Sequence, residues 1–231
     1  MQEKGSAPPP APNGNTPPQA PKGQDIKEYG TPIDGGSPIK VISIIGQIEG
    51  HMNLPPGNKT TKYEHMLPML VEIEQNDNVK GILLLMNTAG GDVEAGLAIA
   101  EMVAGMSTPS VSLVIGGGHS IGVTLAVSAD YSIISPTASM TVHPIRMNGL
   151  IIGVPQTFDY FNKMQQRIVK FVSEHSRIKE ERYRELMLQT GELANDVGTV
   201  LVGRETVDYG IIDSVGTFQT AMKKILEIAN I

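Results

Sequence analysis

Two short apolar runs constrain the fold more than any other feature of this chain: Gly-Ile-Leu-Leu-Leu-Met at 81–86 and Ser-Val-Ser-Leu-Val-Ile at 110–115. Neither alternates cleanly with polar residues, as expected of strands covered on both faces of a parallel sheet. Each is followed by a glycine-rich turn and then by a helical segment. The first turn is Asn87-Thr88-Ala89-Gly90-Gly91-Asp92, before a small-residue helix at 92–106. The second is Gly116-Gly117-Gly118-His119-Ser120-Ile121-Gly122, opening a helix at 120–129.

The remaining pattern extends this alternation. Residues 39–45 are β-branched and read as a strand. A Pro/Gly loop at 51–61 precedes a helix at 63–76. Short strands are expected at 131–135 and 140–143, longer helices at 156–175 and 178–190, and a final amphipathic helix at 218–230. Strands alternating with helices imply an α/β domain with a mostly parallel sheet. No internal repeat is evident.

The first 38 residues differ. They hold nine of the 16 prolines and six of the 25 glycines, with few large apolar side chains. Such a segment cannot bury enough apolar surface to offset chain entropy. The expected organisation is a disordered tail over 1–38 and one folded domain over 39–231. The tail is either a docking arm or a solvated leader.

Composition narrows the function. The formal charge is −6, with 18 Lys+Arg against 24 Asp+Glu, which argues against nucleic acid as the main partner. Zero cysteines exclude a disulfide scaffold, a thiol nucleophile and a cysteine zinc site. No Gly-Lys-Ser/Thr follows either glycine turn, which speaks against a phosphate cradle. Neither cofactor nor metal is expected. No apolar run suits a membrane span, the start of the chain lacks a signal-like apolar segment, and the expected location is the cytoplasm.

Chemistry concentrates at the second turn. Ser120, flanked by glycines in a Gly-x-Ser-x-Gly arrangement between strand and helix, is a candidate nucleophile; the competing role is a helix cap. Both turns lie at carboxyl ends of parallel strands, where open α/β sheets place ligands. Turn amides there suit a developing anion. A base must come from elsewhere. His119 is adjacent to Ser120, and neighbouring side chains at such a turn diverge. His143, ending a short strand before Pro144, is the better candidate; His51, His65 and His175 read as surface residues.

These motifs together resemble the proteolytic subunit of the Clp protease family. Asn87 to Gly96 resembles that family's Asn-Ser-Pro-Gly-Gly-x-Val-x-Ala-Gly turn, and Gly116 to Gly122 its serine turn, with the interval from Gly90 to Ser120 fitting without a gap. Met140-Thr141-Val142-His143-Pro144 resembles its Met-Ile-His-Gln-Pro segment, with two residues fewer between serine and histidine. Glu205 to Asp213 resembles its Glu-Ala-x-Glu-Tyr-Gly-Leu-Ile-Asp segment. The resemblance covers about residues 39–229. The proline-rich leader and the 178–199 segment look more like the translocation-enhancing protein branch of spore-forming bacteria.

The resemblance implies the spiral of ββα units shared by Clp peptidases and crotonases. It implies a serine peptidase with Ser120 as nucleophile, His143 as general base, and an oxyanion hole formed by the amides of Gly91 and Ile121. Its substrates would be proteins or peptides, cleaved inside a homo-oligomer of stacked heptameric rings, with an AAA+ ATPase as a further partner. The third triad member departs from the pattern. Counting back from Asp213 puts the family's aspartate position on Gly198, while Asp196 lies two residues earlier. Asp196 is the candidate to orient His143, with a turn cap as its competing role. The family's Asp-Arg ring-contact pair is missing there.

The helix at 156–175 aligns with the family's ring-packing helix. It carries the stripe Phe158, Phe161, Met164, Ile168 and Phe171, which a packed core would equally explain. Other readings are a crotonase-type acyl-CoA enzyme, a non-catalytic ring subunit or adaptor, and an α/β-hydrolase esterase. The esterase needs a late histidine, and none follows His175.

Overall fold

The computed structural model describes residues 36–147, 153–191 and 197–231. The leader to residue 35 and Asp196 lie outside the described residues. In chain order the elements are β1 (Ile39–Glu49), β2 (Thr60–Lys62), α1 (Tyr63–Glu74), β3 (Gly81–Gly91), α2 (Val93–Gly105), β4 (Ser110–Gly118), α3 (Ile121–Val127) and β5 (Tyr131–Ile134). There follow β6 (Ser139–Val142), α4 (Val154–Glu174), α5 (Glu180–Leu188), β7 (Thr199–Val202), α6 (Arg204–Asp208), β8 (Ser214–Val215) and α7 (Phe218–Ile228).

The main sheet runs β2-β1-β3-β4-β5-β8, all neighbours parallel. A second, smaller pairing sits at the end of β4: Gly117 meets Ser139 of β6, and β6 pairs antiparallel with β7. The expected mostly parallel α/β architecture is present. Alternation along β3 explains its unbroken apolar sequence. Ile82, Leu84 and Met86 join the large cluster with α1, α2 and α3, while Leu83 faces the opposite way onto Ala221 and Ile225 of α7. Both faces of the central strands are therefore buried.

The boundaries differ from the sequence reading at the glycines. Residues 87–91 and 116–118 were expected as turns, yet β3 and β4 continue through them. The ladder adapts rather than ending. The β3–β4 register shifts between Met86 and Thr88, and there the Asn87 side chain accepts the Gly117 amide through Oδ1 at 2.8 Å. A second shift, between Gly46 and Gln47 of β1, re-registers that strand against Gly90 and Gly91.

A clasp recurs where strands begin. The Asp130 carboxylate accepts the amide and hydroxyl of Ser110 at 2.8 and 3.0 Å, and the Ser110 hydroxyl accepts the Asp130 amide at 3.1 Å. Asp213 and Ser132 repeat this one strand further on, at 2.9, 2.9 and 3.0 Å. Asp213 also takes an ion pair from Arg177 at 2.6 Å. These clasps tie the starts of β4 and β5 to the residues that lead into β5 and β8.

Helix α4 resolves the stripe of large apolar residues. Met164, Ile168 and Phe171 are buried against the chain's own core, whereas Phe158 is 70% exposed and Val154 and Tyr160 are exposed beside it. The core explanation holds for the carboxyl half of the helix only.

Candidate active site

Ser120 stands between β4 and α3 with φ 58° and ψ −123°, a conformation that non-glycine residues avoid at a cost of about 1–3 kcal/mol. The surroundings enforce it. The Ser120 amide donates to the Thr141 carbonyl at 2.8 Å, the His119 amide to the Thr88 carbonyl at 3.2 Å, and the Gly122 amide to the His119 carbonyl at 2.9 Å. The result is a sharp elbow with the serine half-exposed at its apex, the geometry that presents a nucleophilic hydroxyl.

Thr88, buried under the elbow, ties β1 and β3 to the serine turn. Its hydroxyl donates to the Gly46 carbonyl of β1 at 2.7 Å and accepts the Gly90 amide at 3.1 Å. The Gly90–Gly91 backbone is thereby drawn against the serine turn. At Gly90, φ is 84°, and an added Cβ would lie 2.7 Å from both the His119 carbonyl oxygen and the Ser120 Cβ. Only glycine fits that approach. At Gly91 an added Cβ would collide with the Ile48 carbonyl oxygen. Asp92 then caps α2, its carboxylate accepting the Ala95 amide at 2.8 Å.

His143 follows β6 directly. Its Nδ1 lies 2.6 Å from the Pro144 carbonyl oxygen. A carbonyl only accepts, so Nδ1 donates and carries the proton, which makes Nε2 the basic nitrogen of the neutral ring.

Ser120, Ile121, Gly91 and His143 line one cleft of about 340 Å³. Val93, Pro144, Ile145 and Ile168 give it an apolar wall, and Gln47 and Arg146 stand among its polar residues. Tyr183 closes the cleft from within, and burial pushes its phenol well above the ordinary tyrosine value. Four of the five site residues proposed from the sequence are thus brought together. The fifth, Asp196, lies outside the described residues. Among the described residues no group of three His, Cys, Asp or Glu is placed to hold a metal ion.

Sequence reasoning missed Thr88 and Thr141. Both lie inside the glycine-turn and histidine segments, but what each does depends on partners distant in the chain. His119 also takes a role not foreseen. Its Nδ1 is 3.0 Å from the Thr141 hydroxyl, and burial, followed by the charge of His143, holds its pKa below the usual histidine range.

Residues 37–219 match the profile described as Clp protease, well over half of the chain. The chain belongs to the Clp protease family. Among relatives, it is 55% identical over 219 residues to the translocation-enhancing protein TepA of Halalkalibacterium halodurans, a match covering 95% of this chain and 86% of that one. It is 25% identical over 188 residues to the ATP-dependent Clp protease proteolytic subunit of Streptococcus uberis, covering 76% and 84%. The same subunit of Lactococcus lactis is 27% identical over 157 residues, covering 65% and 74%. In this member of the Clp protease family the cleft lies where β3 and β4 end. Among the described residues no helix is long and apolar enough to cross a membrane.

Proposed function

We propose that the chain is a serine endopeptidase, with Ser120 as nucleophile and His143 as general base. The observation that carries this is the shared cleft of Ser120, His143, Gly91 and Ile121 around a strained serine elbow. In the first step the Ser120 Oγ attacks the peptide carbonyl carbon while its proton passes to His143 Nε2. The C–N bond then breaks as that proton moves to the leaving amine. Water, activated by the same imidazole, hydrolyses the acyl-enzyme and restores the serine.

Backbone geometry supports the oxyanion assignment. The Asp92 amide donates to the Ile48 carbonyl at 3.0 Å, so strand alternation turns the Gly91 amide to the opposite side, toward the serine turn. Ile121 is the first residue of α3, where an amide has no acceptor within the helix. Two such donors contribute about 3 kcal/mol each to an oxyanion. Asp196 is the proposed third member, acting with the Pro144 carbonyl to hold the His143 ring.

Substrates are proteins or peptides, cleaved within a cytoplasmic homo-oligomer. The exposed Val154, Phe158 and Tyr160 at one end of α4 supply apolar surface for ring stacking, in heptamers as the family resemblance implies. An AAA+ ATPase would deliver unfolded chains. A second reading rests on the TepA relative, whose name speaks of translocation and not of proteolysis. On that reading the chain is a weakly active or non-catalytic subunit. Hydrolysis of fluorogenic peptides separates the two. The peptidase reading expects turnover that Ser120→Ala abolishes, and the other expects equal, negligible rates.

A further inference from the structure

Two bonds, not one, join the serine turn to the strand that carries His143. The first is in the main chain, from the Ser120 amide to the Thr141 carbonyl at 2.8 Å. The second lies between side chains, with His119 Nδ1 and Thr141 Oγ1 at 3.0 Å. Consecutive residues of the turn thus grip the backbone and the side chain of a single residue. One hydrogen bond sets a distance and leaves rotation about it free; a second, offset bond fixes the rotation as well.

The ring has little freedom elsewhere. The His119 amide is held by the Thr88 carbonyl of β3 at 3.2 Å. Its Nε2 edge lies against Gly117 of β4, where an added Cβ would come within 2.6 Å of that nitrogen. The imidazole is wedged between β4 and β6. Thr141 lies two residues before His143, and the charge of His143 is felt at the His119 ring, so the two imidazoles are neighbours. This bears on proton transfer. Burial, and after it the charge of His143, disfavours a proton on His119, which lessens the opposition of a second cation when His143 takes the serine proton.

We propose that His119 and Thr141 are positioning residues for acyl transfer, their side-chain bond locking the orientation of Ser120 relative to His143. This rests on the peptidase reading of the cleft. The bond is not needed to assemble the core: Thr141 is half-buried, and the fold at this point is carried by β4, β6 and β7. It is needed to hold a strained hydroxyl at a fixed angle to a base on another strand.

The test compares Thr141→Val, which keeps shape and removes the hydroxyl, with Thr141→Ser, which keeps the hydroxyl. It also compares His119→Ala with His119→Asn, whose amide reaches the Nδ1 position. The readout is labelling of Ser120 by a fluorophosphonate, separated into the first-order rate of adduct formation and the half-saturating concentration, with melting temperature alongside. Thr141→Val and His119→Ala should lower the rate about ten- to hundredfold, the loss expected for a displacement of about 1 Å, with half-saturation and melting temperature nearly unchanged. Thr141→Ser and His119→Asn should recover most of it. Wild-type labelling with Thr141→Val equally fast overturns the positioning role alone. Failure of the serine and asparagine variants to recover the rate does the same. No labelling of the folded wild-type protein overturns the peptidase reading beneath it.

Discussion

The Thr141 carbonyl accepts the Ser120 amide at 2.8 Å, so the strand that delivers His143 also grips the turn that presents the serine. The relative placement of the two side chains is thereby written into backbone hydrogen bonding rather than left to rotamers. β6 reaches that position because Ser139 pairs with Gly117 of β4 and its other edge pairs with β7. A change that loosened β7 would be felt at Ser120 and His143 without touching them.

Gly90→Ala tests the contact between the two glycine-rich segments. The new Cβ would lie 2.7 Å from the His119 carbonyl and the Ser120 Cβ, at a φ of 84°. The serine turn must retreat. Peptide hydrolysis should fall at least about a hundredfold, and stability by about 1–3 kcal/mol, read from urea denaturation.

Asp213→Asn addresses the clasp at the start of β5. The carboxylate accepts two bonds from Ser132 and an ion pair from Arg177. Half of that acceptor capacity is lost in the amide. A destabilisation of about 2 kcal/mol is expected by chemical denaturation, with the adduct rate at Ser120 nearly unchanged in the folded protein. A selective loss of chemistry at full stability would assign Asp213 to the active site instead.

Glu74 at the end of α1 gives the fold an acid-dependent contribution. Its carboxylate accepts the side chains and amides of Ser107 and Thr108, which draws its pKa down to about 2 from an ordinary 4.5. A depressed carboxylate pKa means stability that is fully present above pH 4.5 and is lost as the pH falls through about 2. Glu74→Gln should therefore lower the melting temperature at pH 7 and reduce its fall between pH 4.5 and 2. Parallel curves for the two proteins would remove Glu74 as a source of that dependence.

Much of this was legible in the sequence because it depends on local pattern. The apolar runs at 81–86 and 110–115 specified doubly covered parallel strands, and the glycines around Ser120 specified an elbow at a strand end. What escaped is non-local. That β3 and β4 would run through their glycines follows from the Asn87 side chain substituting for a ladder bond to Gly117. The grip of Thr88 on Gly46, 42 residues away, has no signature in the sequence around either residue. The α4 stripe looked uniform, although only Met164, Ile168 and Phe171 meet the chain's own core. Where an apolar stripe leaves one chain's core, the sequence carries no mark of the change.

The most direct test of the central claim is intact-mass and peptide mapping after treatment with a fluorophosphonate. The account predicts one adduct per chain, located on Ser120, absent from Ser120→Ala and strongly reduced in His143→Ala. A folded wild-type protein that takes no adduct, or takes it on another residue with Ser120→Ala unaffected, would contradict it.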